Sequence, residues 1–388
     1  FGSSGSLAFS PMNPNRRRLT VSQCDPVAGG ALGSAGSSED TLEGKAKECG
    51  LHEVFTSAPK LAVSVTSRTD PGLKMEPSFG DKVEEVIYPK GVPGGEKALR
   101  EWLKERGVTW CCRKGKKPES PNQDSFSALV IEDQFALYGV FDGHGPNGHD
   151  VSDLARKVIV QKFLAHPLRD EDTEKAFHES FTFTQHYLET AKDLVDCMTS
   201  GTTCTLVYHR LVQKIMTIAH VGDSRSILVK NKASSELQVQ ELTIDHKPDL
   251  KEERYRIEHA NPPGRVVFDG YFNHRVFAQA GNYPGLNMSR ALGDVIAHKE
   301  AGLTAMPDIR TVDIAAEQAG GYTDLWLLVC TDGVWEFIEN KEAANLSFKP
   351  PPSGMSHVEV LAKESWDRWM KDSDNEISDD ITAVMIRL

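Results

Sequence analysis

The chain has 388 residues, 39% hydrophobic and 26% charged, ordinary proportions for a globular protein with a sizeable core. Its formal net charge of -12 argues against a nucleic-acid binder working through a basic footprint, and no stretch reaches the roughly 18 apolar residues of a membrane span. Seven cysteines without a CxxC pair point to reduced thiols in an intracellular setting, and thirteen histidines without HExxH spacing indicate no zinc site.

Residues 1–80 are rich in Gly, Ser, Pro and Ala and lack sustained apolar periodicity, so they are expected to form a disordered extension, with one catalytic domain over 81–388. Inside the extension, Arg16-Arg17-Arg18-Leu19-Thr20 would suit a basic-directed kinase. From Glu96 to Arg106 the spacing of Leu99, Trp102 and Leu103 predicts a short amphipathic helix. Strands are predicted at 125–131, 135–141, 203–208, 214–220, 225–230 and 237–242, and helices near 148–165, 172–194, 249–260 and 356–370. Two helices follow a strand pair and four strands then come together, which favours antiparallel sheets with helices packed outside, an α+β class.

Three acidic motifs stand at the edges of strand-like apolar runs. Asp142-Gly143-His144 follows 135–141, Asp332-Gly333 follows 325–331, and Asp379-Asp380 precedes 381–386. Strand ends are rigid, so carboxylates mounted there can be held in metal-binding geometry. Asp142 can offer one oxygen to each of two cations, and Gly143 lets backbone carbonyl oxygen approach the same space. An all-oxygen site selects hard ions such as Mg²⁺ or Mn²⁺. Asp332 and Asp379 would complete one ion's shell. Two such ions acidify a shared water, and His144 could protonate a leaving alkoxide.

Further motifs follow in order: Ser200-Gly201-Thr202-Thr203, Gly222-Asp223-Ser224-Arg225, Asp245-His246-Lys247-Pro248, Ser289-Arg290-Ala291-Leu292-Gly293-Asp294, Asp332-Gly333-Val334-Trp335 and Asp379-Asp380-Ile381-Thr382. With Val140-Phe141-Asp142-Gly143-His144-Gly145, this series resembles protein phosphatase 2C, the metal-dependent protein serine/threonine phosphatases, over about residues 110–388. The stretch from Cys112 to Asp124 is similar to plant and protist members.

The resemblance implies a four-layer αββα sandwich, two antiparallel sheets flanked by helices, with a dinuclear Mg²⁺ or Mn²⁺ site at one end. By position it assigns Asp142 as bridging ligand, Gly143 as carbonyl ligand, Asp332 and Asp379 as carboxylates of one ion, Asp124 as a ligand through water, and His144 as general acid. It implies hydrolysis of phosphoserine and phosphothreonine in protein substrates by direct attack of water. The rival reading is an inactive relative serving as a binding module. No nucleic acid, no membrane span, a monomer, and a cytoplasmic or nuclear location are expected.

Three positions depart from the family pattern. Gln123 replaces a second acid found in many animal relatives. Met198 stands where some members carry an aspartate for a third ion, leaving Asp196 and Glu336 as substitutes for that site. The arginine that holds phosphate is displaced: Arg113 is the only arginine between 111 and 124, and its fork suits phosphate better than Lys114, Lys116 or Lys117. Asp223, Arg225, Asp245, His246, Arg290 and Asp294 are expected to be structural. The segment from Asp249 to Leu286 is expected as a helix and loop forming a flap beside the site.

Overall fold

The structure is a computed structural model and describes residues 62–69, 82–87, 95–117, 120–232, 236–349, 351–352 and 354–388. Two antiparallel sheets lie face to face. The larger runs in the order β15 (Asp308–Asp313), β8 (Ile215–Val221), β7 (Cys204–Arg210), β5 (Phe135–His144), β4 (Asp124–Ile131), β1 (Ala62–Thr69), β2 (Lys82–Ile87). Short β6 (Gly201–Thr202) branches from the end of β5 and pairs β14 (Leu292–Gly293). The second sheet runs β10 (Gln238–Glu241), β9 (Arg225–Asn231), β16 (Asp324–Cys330), β17 (Ile381–Arg387), β3 (Val108–Arg113).

Strand periodicity builds three apolar layers. Along β5, Ala136, Tyr138 and Val140 face the second sheet, joining Phe126, Val207, Leu327 and Val384 in the central core. The alternate residues Leu137 and Phe141 face outward, onto α2 (Gly148–Leu164) and α3 (Thr173–Thr190) through Phe163 and Phe177. On the other side Ile227, Leu328 and Met385 meet α9 (His357–Asp372) through Leu361 and Trp369. Because both faces of both sheets are covered, the central strands read as continuous apolar runs rather than alternating ones. The expected four-layer αββα class is the observed fold.

The helix predicted from Glu96 is α1 (Gly95–Glu105), with Leu103 fully buried. The boundary expected at residue 81 is corrected. Strand β1 pairs with β4 from Ala62↔Ile131 to Thr66↔Ser127, and Val63 and Val65 are fully buried in the central core. An alternating Ala-Val-Ser-Val-Thr run needs only a sheet edge to become a strand. The Arg16–Thr20 motif lies outside the described residues.

The flap is a helix followed by a sheet, not a loop. Helix α4 (Lys251–Glu258) leads to the three-stranded sheet β11 (Gly264–Phe268), β12 (His274–Ala278), β13 (Pro284–Leu286). Asp269 closes its first hairpin, Oδ1 accepting from the N–H groups of Tyr271, Phe272 and Asn273 at 2.9–3.1 Å.

Candidate active site

The strand ends carry the inter-sheet row of side chains past the point where the apolar core stops. On β4 and β5, Asp124 and Asp142 share the inward parity of Phe126 and Val140, and they sit opposite each other in register. On β17, Asp380 continues the parity of Thr382 and Val384. The two sheets are tied there by polar bonds: Thr331 Oγ1 donates to Asp124 Oδ2 (2.9 Å) and accepts from Thr382 N–H (3.1 Å).

Asp142 is anchored through its backbone, its N–H donating to Thr203 Oγ1 (3.0 Å) and its carbonyl accepting from Thr203 N–H (2.8 Å). Next to it, a Cβ on Gly143 would collide with Gly148 O and come within 2.6 Å of Gln123 O, so only glycine lets β4, β5 and the start of α2 converge. At the second motif, a Cβ on Gly333 would overlap the Asp380 carbonyl oxygen. Both glycines serve close backbone approach.

The carboxylates repel one another. Burial, then Asp124, Asp332 and Asp379, push Asp142 well above the carboxylate range. Burial, then Asp223 and Asp379, do the same to Asp332. Burial with Asp380 and Asp379 raises Asp124 to about 7. Two ammonium groups oppose this charge: Lys117 is ion-paired with Asp379 and lies 3.4 Å from Asp380 Oδ2, and Lys247 is ion-paired with Asp223. A buried, oxygen-only, mutually repelling set that the protein's own cations only partly offset fits hard divalent ions. Asp223 Oδ1 is also buried without a hydrogen-bond partner.

His144 stands beside this set, its Nε2 2.6 Å from Asp294 Oδ2. Burial lowers its pKa, but the Asp294 carboxylate, helped by Asp223 and the Asp142 backbone, more than offsets that and holds the ring above its ordinary value. A cleft lined by Asp142, His144 and Asp332 on the sandwich side is closed by Arg275, Gly285, Leu286, Asn287 and Met288 from the flap.

Arg113 is not brought to this cluster. Cys112 points into the central core, so Arg113, like Cys111, projects from the opposite face of β3, where its guanidinium lies over the Trp366 ring at 3.7 Å. The basic residue of that segment that reaches the carboxylates is Lys117. Of the six polar residues expected to be structural, Arg225 and Asp245 form a two-pronged pair at 2.9 and 2.7 Å, and Arg290 bridges Glu253 and Asp308. Asp223 and Asp294 instead belong to the site. Their spacing in the chain carries no signal of it; only the meeting of loops does. Asp196 accepts from Met198 N–H at 2.9 Å.

One ligand atom from each of His220, His246 and Asp308 lies within 4.8 Å of the others, a grouping with metal-ligand spacing. Its hydrogen bonds favour a different use. Gly222 N–H donates to His246 Nδ1 (3.1 Å), leaving the proton of the neutral ring on Nε2, which faces Asp308 Oδ2 at 3.2 Å. A ring nitrogen carrying a proton is not a ligand.

The model of the protein phosphatase 2C family matches residues 119–347. The chain belongs to the protein phosphatase 2C family. It is 33% identical over 258 residues to probable protein phosphatase 2C 61 of Arabidopsis thaliana, covering 65% of this chain and 76% of that protein. To probable protein phosphatase 2C 73 of the same plant it is 30% identical over 298 residues, with 69% and 75% covered. Among solved structures it resembles the serine-threonine phosphatase 2C from Toxoplasma gondii, with a TM-score of 0.60 at 20% identity over 72% of this chain and 94% of that one. That likeness concerns the fold. The family is metal-dependent, and this chain is a protein serine/threonine phosphatase acting on phosphorylated proteins.

Proposed function

We propose that the chain hydrolyses phosphoserine and phosphothreonine by direct attack of water, with two Mg²⁺ or Mn²⁺ ions held by Asp142, the Gly143 carbonyl, Asp332 and Asp379, and by Asp124 through water. The observation that carries this reading is the convergence of these carboxylates beside His144 in one cleft. When bound, such ions would lower the pKa of a water between them and offset phosphoryl charge.

The chain's own groups do the rest. Asp142 would supply charge to the bound ions, and Asp223, within electrostatic reach of Asp142 and Asp332, adds to the field. His144 Nε2 is occupied by Asp294, so Nδ1 is the nitrogen left to protonate the departing alkoxide. No thiol is needed: burial pushes the Cys204 thiol well above its ordinary pKa, away from the nucleophilic thiolate.

A monomer in the cytoplasm or nucleus is part of the proposal. Free Cys111, Cys112, Cys197, Cys204 and Cys330 suit a reducing compartment, and no helix among the described residues is long and apolar enough to cross a membrane.

The test is hydrolysis of a phosphothreonine peptide in EDTA, Mg²⁺ and Mn²⁺, alongside the Asp332→Asn variant and a phosphotyrosine peptide. Metal-dependent turnover of phosphothreonine that the variant loses is expected. Turnover in EDTA, or full activity in Asp332→Asn, would sink the site assignment.

A further inference from the structure

Arg275 reaches the catalytic cleft from the flap. On β12 its neighbours Val276 and Ala278 pack into the flap's own small core with Ile257, Val266 and Ala301, so Arg275 and Phe277 share the other parity. Arg275 lines the cleft that also exposes Asp142, His144 and Asp332, and it is the only arginine or lysine among the lining residues.

Its guanidinium is held in place rather than free to swing. Nη1 donates to the Gly285 carbonyl at 2.9 Å, and Nε lies 3.3 Å from Asp269 Oδ2, the residue that closes the hairpin. Nη2 has no hydrogen bond among the described residues. The other basic groups near the site are committed: Lys117 to Asp379 and Asp380, Lys247 to Asp223, and Arg113 to the Trp366 face. A dianionic ester entering a cleft whose other charged walls are acids needs donors, and a pre-positioned guanidinium edge is the best available.

We infer that Arg275 is a substrate-binding residue that donates to the phosphate of the substrate from the flap, taking the role for which Arg113 is turned away. This deepens the phosphatase reading and rests on it. Because the contact is to phosphate rather than to protein sequence, it applies to small phosphate esters and to the inorganic phosphate product alike.

The test uses the full chain with Mg²⁺ and the variants Arg275→Ala, Arg275→Lys and Asp269→Asn. Inorganic phosphate is titrated by calorimetry, and KM and kcat are measured for p-nitrophenyl phosphate and for phosphothreonine peptides with neutral or acidic flanks. Arg275→Ala is expected to weaken phosphate binding and raise KM for every substrate by about tenfold, with a smaller effect on kcat. Arg275→Lys, whose point charge lacks the fork, recovers part of that loss, and Asp269→Asn, which loosens the anchor, loses less than Arg275→Ala. Unchanged phosphate affinity in folded Arg275→Lys and Arg275→Ala overturns the inference. So does a loss confined to the acidic peptide, which would mean that Arg275 reads flanking carboxylates. Failure of the catalytic reading shows differently, as no turnover by the unsubstituted chain, while the phosphate titration still reports on Arg275.

Discussion

His144 Nε2 lies 2.6 Å from Asp294 Oδ2, although 150 residues separate the two in the chain. The pair needs Gly201: a Cβ there would overlap Asp294 Oδ2 and come within 2.7 Å of His144 Nε2. Asp294 itself adopts a left-handed backbone (φ 42°) just before α5 (Val295–Glu300), a conformation that costs a non-glycine residue free energy.

Replacing Asp294 by Asn should therefore deplete the protonated form of His144 at higher pH. Asp294 raises the His144 pKa, and a general acid is lost as pH rises through its pKa, so removing the charge moves that loss to lower pH. We expect kcat at pH 8 to fall about 10–100-fold, with a smaller effect at pH 6. A pH–rate profile whose alkaline limb does not move would show that Asp294 only supports the loop.

Lys117 contributes stability from inside the carboxylate cluster. Burial alone would lower its pKa, yet Asp379 and Asp380, with Asp142, hold it well above the ordinary value. Lys117→Met leaves those carboxylates less compensated, at a cost of roughly 2–4 kcal/mol in EDTA. Because a bound cation stabilises the folded state by linkage, Mg²⁺ should raise the melting temperature of this variant more than that of the unsubstituted chain. Equal melting curves in EDTA would contradict the prediction.

Glu253 ties the flap to the chain beyond it through Ser289 and Arg290, and pairs with Arg256 on its own helix. Burial would raise its pKa, but those hydrogen bonds bring it down to about 2 from an ordinary 4.5. A depressed carboxylate contributes stability above the unfolded pKa and loses it as pH falls, here between 4.5 and about 2. Glu253→Gln should cost about 3 kcal/mol at pH 7 by urea denaturation and much less near pH 2. A cost independent of pH would assign the effect to packing.

Cys204 is fully buried in the layer between the larger sheet and its helices. Cys204→Ala removes one buried sulfur, so we expect a loss of about 1 kcal/mol in stability and unchanged kcat with phosphopeptide. Abolished turnover in a folded Cys204→Ala protein would demand a thiol nucleophile.

The chain's periodicity located most of the elements. Strands at 125–131 and 135–141 and helices at 148–165 and 172–194 fall within a few residues of β4, β5, α2 and α3, because apolar residues there follow the period of the element that buries them. Strand β3 went unread although Val108, Thr109 and Trp110 are strand formers, because Cys-Cys-Arg continues the run without another one. The polar edge strand β15 was hidden because an exposed edge carries little apolar pattern.

The class of chemistry is legible in residue types and their spacing. Asp142, Asp332 and Asp379 each adjoin a long apolar run, and a rigid strand end with a carboxylate can be read without knowing its partners. Which distant groups complete the site depends on how the chain folds. Side-chain parity on β3 turned Arg113 toward Trp366, loop closure brought Asp294 to His144 and Asp223 into the carboxylate field, and the flap sheet carried Arg275 over the cleft. Local residue types and spacing record the element a side chain sits on. Which face it takes, and what meets it there, depends on long-range pairing that no local pattern encodes.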